Sequence, residues 1–141
     1  MGLNNKENEK AEFIIWTEKY SVENTVLDNQ HKYLIKIINN LYNGTHGDEG
    51  QYNVKTIIDE LWRYTDVHLK TEEKMLQNIN YHQLDSHIQL HGEMVEKIKS
   101  WNLTSDCNEK EELTALLDFL KKWWTNHILI EDHKYVEFMQ S

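Results

Sequence analysis

The sequence predicts an all-α protein, an up-down-up-down antiparallel four-helix bundle with a polar arm at its N-terminus. Three observations carry that prediction. Apolar residues recur at three- and four-residue steps in four separate stretches, which is the period of an amphipathic helix. Proline is absent and only five glycines occur in 141 residues, so long uninterrupted helices are favoured. The connecting stretches are short and polar, and nowhere does the two-residue alternation of a strand appear.

Residues 1–12 are too polar to bury surface and are expected to form a mobile arm. Residues 13–141 are expected to form one domain, since the length suits a single core. Phe13 to Tyr20 is apolar but short, a segment expected to lie across the body. A first helix is expected from about Thr25, with Asp28 as a capping-type partner. Its stripe is Leu27, His31, Leu34, Ile35, Ile38 and Leu41. Three glycines in 43–50 mark a loop. The second helix presents Val54, Ile57, Ile58, Leu61, Trp62, Thr65, His68, Leu69, Glu72, Met75 and Leu76 on one broad face. After a break near Gln77 to His82, the third presents Leu84, His87, Ile88, His91, Met94, Val95 and Ile98. A polar run, Asn102 to Asn108, leads to the fourth, where Asn108 and Glu111 resemble a capping box. Its stripe is Leu113, Leu116, Leu117, Leu120, Trp123, Trp124, His127 and Ile128. Short connections make successive helices antiparallel neighbours.

The formal charge of −9 argues against nucleic acid and against an anionic membrane surface as partners, because both call for a basic face. No apolar run approaches the roughly 20 residues of a membrane span. The stretch Met1 to Glu12 lacks the apolar core of a signal peptide, and a lone Cys107 offers no internal disulfide. The cytoplasm is the expected compartment.

The informative residues are the polar ones on apolar stripes. A single histidine there is ordinarily a core residue with one hydrogen bond. Glu72 is different: a carboxylate carried inward costs several kcal/mol unless it is neutralised, paired or metal-bound. The stripes hold no lysine or arginine to pair with it. His68 with Glu72, and His87 with His91, are each four apart and project from one side of their helices. His31 and His127 add one stripe histidine from each remaining helix. Near His127 two carboxylates compete. Glu131 lies four residues on and is the same-face partner by spacing. Asp132 lies five on, about 140° round an ideal helix, and reaches that face only through a π-bulge or toward a second metal displaced along the bundle.

Imidazole with carboxylate suits iron, zinc, copper or nickel, and the absence of cysteine ligands excludes iron–sulfur clusters. Seven ligands exceed the four of tetrahedral zinc. Two octahedral ions sharing both carboxylates account for all seven, which points to a di-iron bundle.

The same residues carry a resemblance. The first helix holds Leu27-Asp28-Asn29-Gln30-His31-Lys32 and the second holds Tyr64 to Glu73, with His68-x3-Glu72 inside it. His87-x3-His91 and His127-x4-Asp132 follow. From Trp16 to Tyr135 the chain resembles the hemerythrin family, its bacterial single-domain members most closely. The resemblance selects Asp132 over Glu131. It implies that His87, His91 and His127 hold one iron, that His31 and His68 hold the other, and that Glu72 and Asp132 bridge them beside an oxo or hydroxo group. One departure is visible: Tyr81 is followed by His82 where the family often has proline, which bears on where the third helix starts.

On this ligand count one iron is closed and the other keeps an open position for O2 or another small diatomic. Reversible O2 binding for storage, transport or sensing is the expected function, and a protein that receives O2 is a conceivable partner. Leu34, Leu69, Trp123 and Ile128 are candidates for an apolar wall that keeps out water and slows autoxidation. The alternative class is a di-iron enzyme acting on peroxide, nitric oxide or O2. Oxygen-activating bundles of the ferritin-like type typically use four carboxylates and two histidines, and this set has two carboxylates. A metal-stabilised interaction module is a third class, and it would not need an open position. Of the other polar residues, His46 and Glu73 are expected to face water. His82 and His133 are expected at the surface or behind a ligand, and Cys107 is expected to be an inert loop thiol.

Overall fold

The computed structural model describes residues 13–46, 54–103 and 109–140. The expected arm at 1–12, the glycine-rich stretch beyond His46, Cys107 and the Asn108 cap lie outside the described residues, as does the side chain of His46. Helix α1 spans Thr25–His46, α2 Val54–Asn78, α3 Leu84–Leu103 and α4 Glu109–Asn126. A π-helical turn, His127–Asp132, continues α4 into a terminal helix α5, His133–Gln140. Helix α1 packs on α2 and α4, α2 packs on α3, and α3 packs on α4. Cross-helix contacts run in opposite directions: Gln30 meets Thr71 while Tyr33 meets Glu60. The fold is a four-helix bundle. Among the described residues no helix is long and apolar enough to cross a membrane.

Local chemistry explains where the helices start and stop. The chain enters α1 at Thr25 as expected, but Asn24 is the cap, its Oδ1 accepting the Leu27 N–H at 3.0 Å. Asp28 instead accepts from Ser21 Oγ at 2.6 Å and the Val22 N–H at 2.8 Å, tying the incoming segment to the helix. At its far end α1 continues through Asn43 to His46, four residues into the expected loop. The Asn43 side chain there is buried and donates to the Asn39 carbonyl at 2.8 Å. Helix α2 ends on Asn80, whose φ of 57° takes the left-handed place usually given to glycine. The N–H of Tyr81 then donates to the Leu76 carbonyl, and that of Asn80 to Gln77. With this cap in place, α3 starts at Leu84 without a proline.

The segment before α1 lies against the bundle as expected. Ile14 is buried and exchanges two hydrogen bonds with the Asn39 side chain, while Phe13 stacks on Tyr42. Buried apolar residues fall into two clusters. The larger includes Leu34, Ile38, Leu61, Leu69, Met94, Leu116, Leu120, Trp124 and Ile128. The smaller, at the other end, is Val22, Leu27, Leu76, Tyr81, Tyr135 and Val136. One stripe residue departs from expectation: Ile88 is 41% exposed, because the face of α3 that turns inward carries His87, His91, Met94 and Ile98. Replacing Leu120 by alanine is therefore expected to cost about 2–5 kcal/mol in urea unfolding. Ile88→Ala should stay within about 0.5 kcal/mol.

Candidate metal centre

Every helix contributes to a polar layer between the two apolar clusters. His31 sits between Leu27 and Leu34 on α1, and His68 and Glu72 sit between Thr65 and Leu76 on α2. His87 and His91 precede Met94 on α3. His127 and Asp132 bracket the π turn. All seven side chains are buried, Glu72, His31 and Asp132 completely. The π turn decides the last position. Its wider winding brings residues five apart toward one side, so Asp132 joins His127 inside. Glu131, favoured by α-helical spacing, is half-buried and pairs with Lys134 at 3.2 Å. The imidazole of His133 braces the turn, its Nδ1 donating to the Ile128 carbonyl at 2.7 Å.

The ring nitrogens converge on the two carboxylates. Glu72 Oε1 lies 2.8 Å from His87 Nε2 and 3.1 Å from His91 Nε2. Its other oxygen lies 3.9 Å from the Nε2 atoms of both His31 and His68. Asp132 Oδ1 is 3.1 Å from His87 and from His127, and Oδ2 is 3.4 Å from His31. Two ligand groups result, Glu72-His87-His91-His127-Asp132 and His31-His68-Glu72, with ligand atoms in each group within 4.8 Å of one another.

The donor set fits cations. Both Asp132 oxygens, both ring nitrogens of His31 and the Nε2 of His68 are buried without a hydrogen-bond partner. His91 and His127 direct Nε2 at Nε2 across 3.1 Å, a pairing of lone pairs that only a proton or a cation between them relieves. Electrostatics agree. Burial and neighbouring Asp132 push the Glu72 carboxyl up, yet the hydrogen bonds from His87 and His91 hold it below its ordinary range. Asp132 is likewise pushed up by burial but held well down by His127, with His31 and His87 helping. Burial lowers His87, but its contacts with Asp132 and Glu72 outweigh that and raise it to about 10. Burial also opposes charge on His91, whose hydrogen bonds to Glu72 and Glu73 nonetheless raise it. His68 falls to about 3, through burial and then the nearby charge of His31. The carboxylates thus demand positive charge, which protons on His87 and His91 can supply when no metal does.

Around this layer lies a set of partners, of which only Trp123 lay on a predicted stripe. His91 Nδ1 donates to Glu73 Oε2 at 2.8 Å, so Glu73 does not simply face water as expected. His68 Nδ1 lies 2.7 Å from Gln30 Oε1. Tyr135 Oη donates to Glu72 Oε2 at 3.0 Å. Trp123 stacks on His127, with centroids 4.3 Å apart and planes 13° from parallel. Their positions offered signals. Gln30 and Glu73 each adjoin a candidate ligand in sequence, Tyr135 is one turn beyond Asp132, and Trp123 is one turn before His127. Of the expected wall, Leu34, Leu69 and Ile128 are buried, and Trp123 is partly so.

Comparison with known proteins agrees with this geometry. Residues 23–139 match the family model described as the hemerythrin HHE cation binding domain. A bacteriohemerythrin of Clostridium acetobutylicum is 29% identical over 128 residues, covering 87% of this chain and 98% of that protein. One from Pseudomonas aeruginosa is 28% identical over 126 residues, covering 88% and 80% respectively. A crystal structure of a hemerythrin point mutant superposes with a TM-score of 0.78 at 22% identity, covering 90% of this chain and 97% of that one, a likeness that concerns the fold.

The hydrogen bond from Tyr135 to a buried, ionised Glu72 is open to direct measurement. Tyr135→Phe removes only the hydroxyl, and is expected to lower the unfolding free energy of the metal-free protein by about 1.5–3 kcal/mol in urea.

Proposed function

This chain belongs to the hemerythrin family, and on that premise we propose that its buried layer holds a non-haem pair of iron ions and binds O2 reversibly. The observation that carries this reading is the convergence of five imidazoles and two carboxylates in a buried layer without a buried lysine or arginine among the described residues. In this reading His87, His91 and His127 would hold one ion, His31 and His68 would hold the other, and Glu72 and Asp132 would serve both. When bound, the iron pair would supply the two electrons that O2 binding draws on.

The remaining work falls to the chain. Gln30 orients His68, Glu73 orients His91, and Tyr135 fixes one oxygen of Glu72. Trp124 is buried against the rings of His31 and His68, with centroids 6.2 and 5.7 Å away. Leu34, Leu69 and Ile128 belong to the same buried cluster, which forms an apolar wall beside the layer. Such a wall keeps water and protons from the bound gas, which favours release of O2 over its reduction. Two carboxylates in place of the four typical of oxygen-activating bundles also favour carriage over oxidation chemistry.

Two experiments test this reading. Iron-loaded protein, reduced without air, is exposed to O2 and then purged with inert gas while the visible spectrum is recorded. A charge-transfer band that rises and then vanishes on purging is the expected result. Irreversible oxidation, or turnover with peroxide or nitric oxide, would select the enzyme alternative. Second, Asp132→Ala is expected to drop iron from about two per chain to one or fewer, because a missing first-coordination carboxylate leaves both ions short of a ligand. Glu131→Ala should keep both. Loss of iron from Glu131→Ala alone would refute the register assigned here.

A further inference from the structure

Resting on the two-ion reading, we propose that the halves of this centre load unequally and in order. The half backed by Glu73 fills first and tightly, and the half backed by Gln30 fills second and more weakly. The groups behind the two inward-facing imidazoles differ in charge. His91 Nδ1 meets the Glu73 carboxylate at 2.8 Å. A carboxylate only accepts, so Nδ1 keeps its hydrogen and Nε2 is the nitrogen left to face a metal ion.

His68 is held in the same tautomer by a neutral group. Thr71 Oγ1 donates to the Val67 carbonyl at 2.8 Å and so offers a lone pair to Gln30 Nε2 at 3.5 Å. That fixes the amide with Oε1 toward His68 Nδ1. Both rings are therefore aimed alike, but only His91 has a negative charge behind it. A carboxylate behind an imidazole raises its basicity as a ligand, and removing such a partner costs roughly 10–100-fold in metal affinity.

Two further features act in the same direction. The half that includes His91 contains three imidazoles, His87, His91 and His127, whereas the other contains two, His31 and His68. A cation already in the first half repels a second one brought close beside it. Glu73 and Gln30 are thus positioning residues whose difference in charge separates two binding steps.

The test is an anaerobic titration of the metal-free chain with Fe2+ at fixed pH against a competing chelator, resolving both steps. For the wild type, two steps separated by at least about 10-fold are expected. Glu73→Gln keeps shape and removes charge. It is expected to weaken the first step about 10–100-fold and to leave the second within about 3-fold. Gln30→Glu places the same charge behind His68 and is expected to tighten the second step by about 10-fold or more. Two ions of equal affinity in the wild type would overturn the inference while leaving the two-ion centre standing. So would a Glu73→Gln variant that shifts neither step or shifts both alike. Fewer than two ions bound by the wild type would overturn the two-ion reading itself, and this inference with it.

Discussion

Two carboxylates, Glu72 and Asp132, lie wholly buried in the middle of the bundle, with no buried lysine or arginine among the described residues to pair with them. Each would cost several kcal/mol to bury alone, and much of the rest of the structure is arranged to make their burial tolerable. Helices α1, α2 and α3 and the π turn that continues α4 each give up part of an apolar face to supply an imidazole or a carboxylate at the same level. The core is accordingly split into a larger and a smaller apolar cluster with the polar layer between them. The π turn belongs to the same solution: it costs regular helix geometry and in exchange brings Asp132 inside while Glu131 stays near Lys134.

Orientation is settled one shell further out. Gln30 and Glu73 hold the Nδ1 atoms of His68 and His91, Tyr135 holds an oxygen of Glu72, and Trp123 lies flat on His127. These contacts aim the Nε2 atoms of His68 and His91 inward before any ion arrives. Preorganisation of this kind is what a metal centre needs to bind without rearranging its helices. It also explains why the residues behind the layer, though chemically ordinary, carry as much of the design as the seven in it.

Most of the layer was legible in the sequence because helical period reports which face is buried. His31, His68, Glu72, His87, His91 and His127 all sit on apolar stripes, and all are inside. Asp132 was not legible from period, since an α-helical count assumes 100° per residue and the π turn breaks that assumption. The same rule placed Ile88 on the inner face of α3, although only part of a stripe that wide can reach the core. Glu73 was misread for another reason: it points sideways from α2, and its long side chain still reaches His91 on α3. Capping residues were found one position away, at Asn24 and not Thr25, since a stripe locates a helix better than it locates its first residue.

The central claim is that these seven side chains are organised around two cations. Anomalous scattering at the iron edge, from a crystal of the iron-loaded protein, tests it most directly. Two peaks are predicted between Glu72 and Asp132, one ringed by His87, His91 and His127 and the other facing His31 and His68. A single peak, peaks outside this layer, or Glu131 in the place given to Asp132 would contradict it.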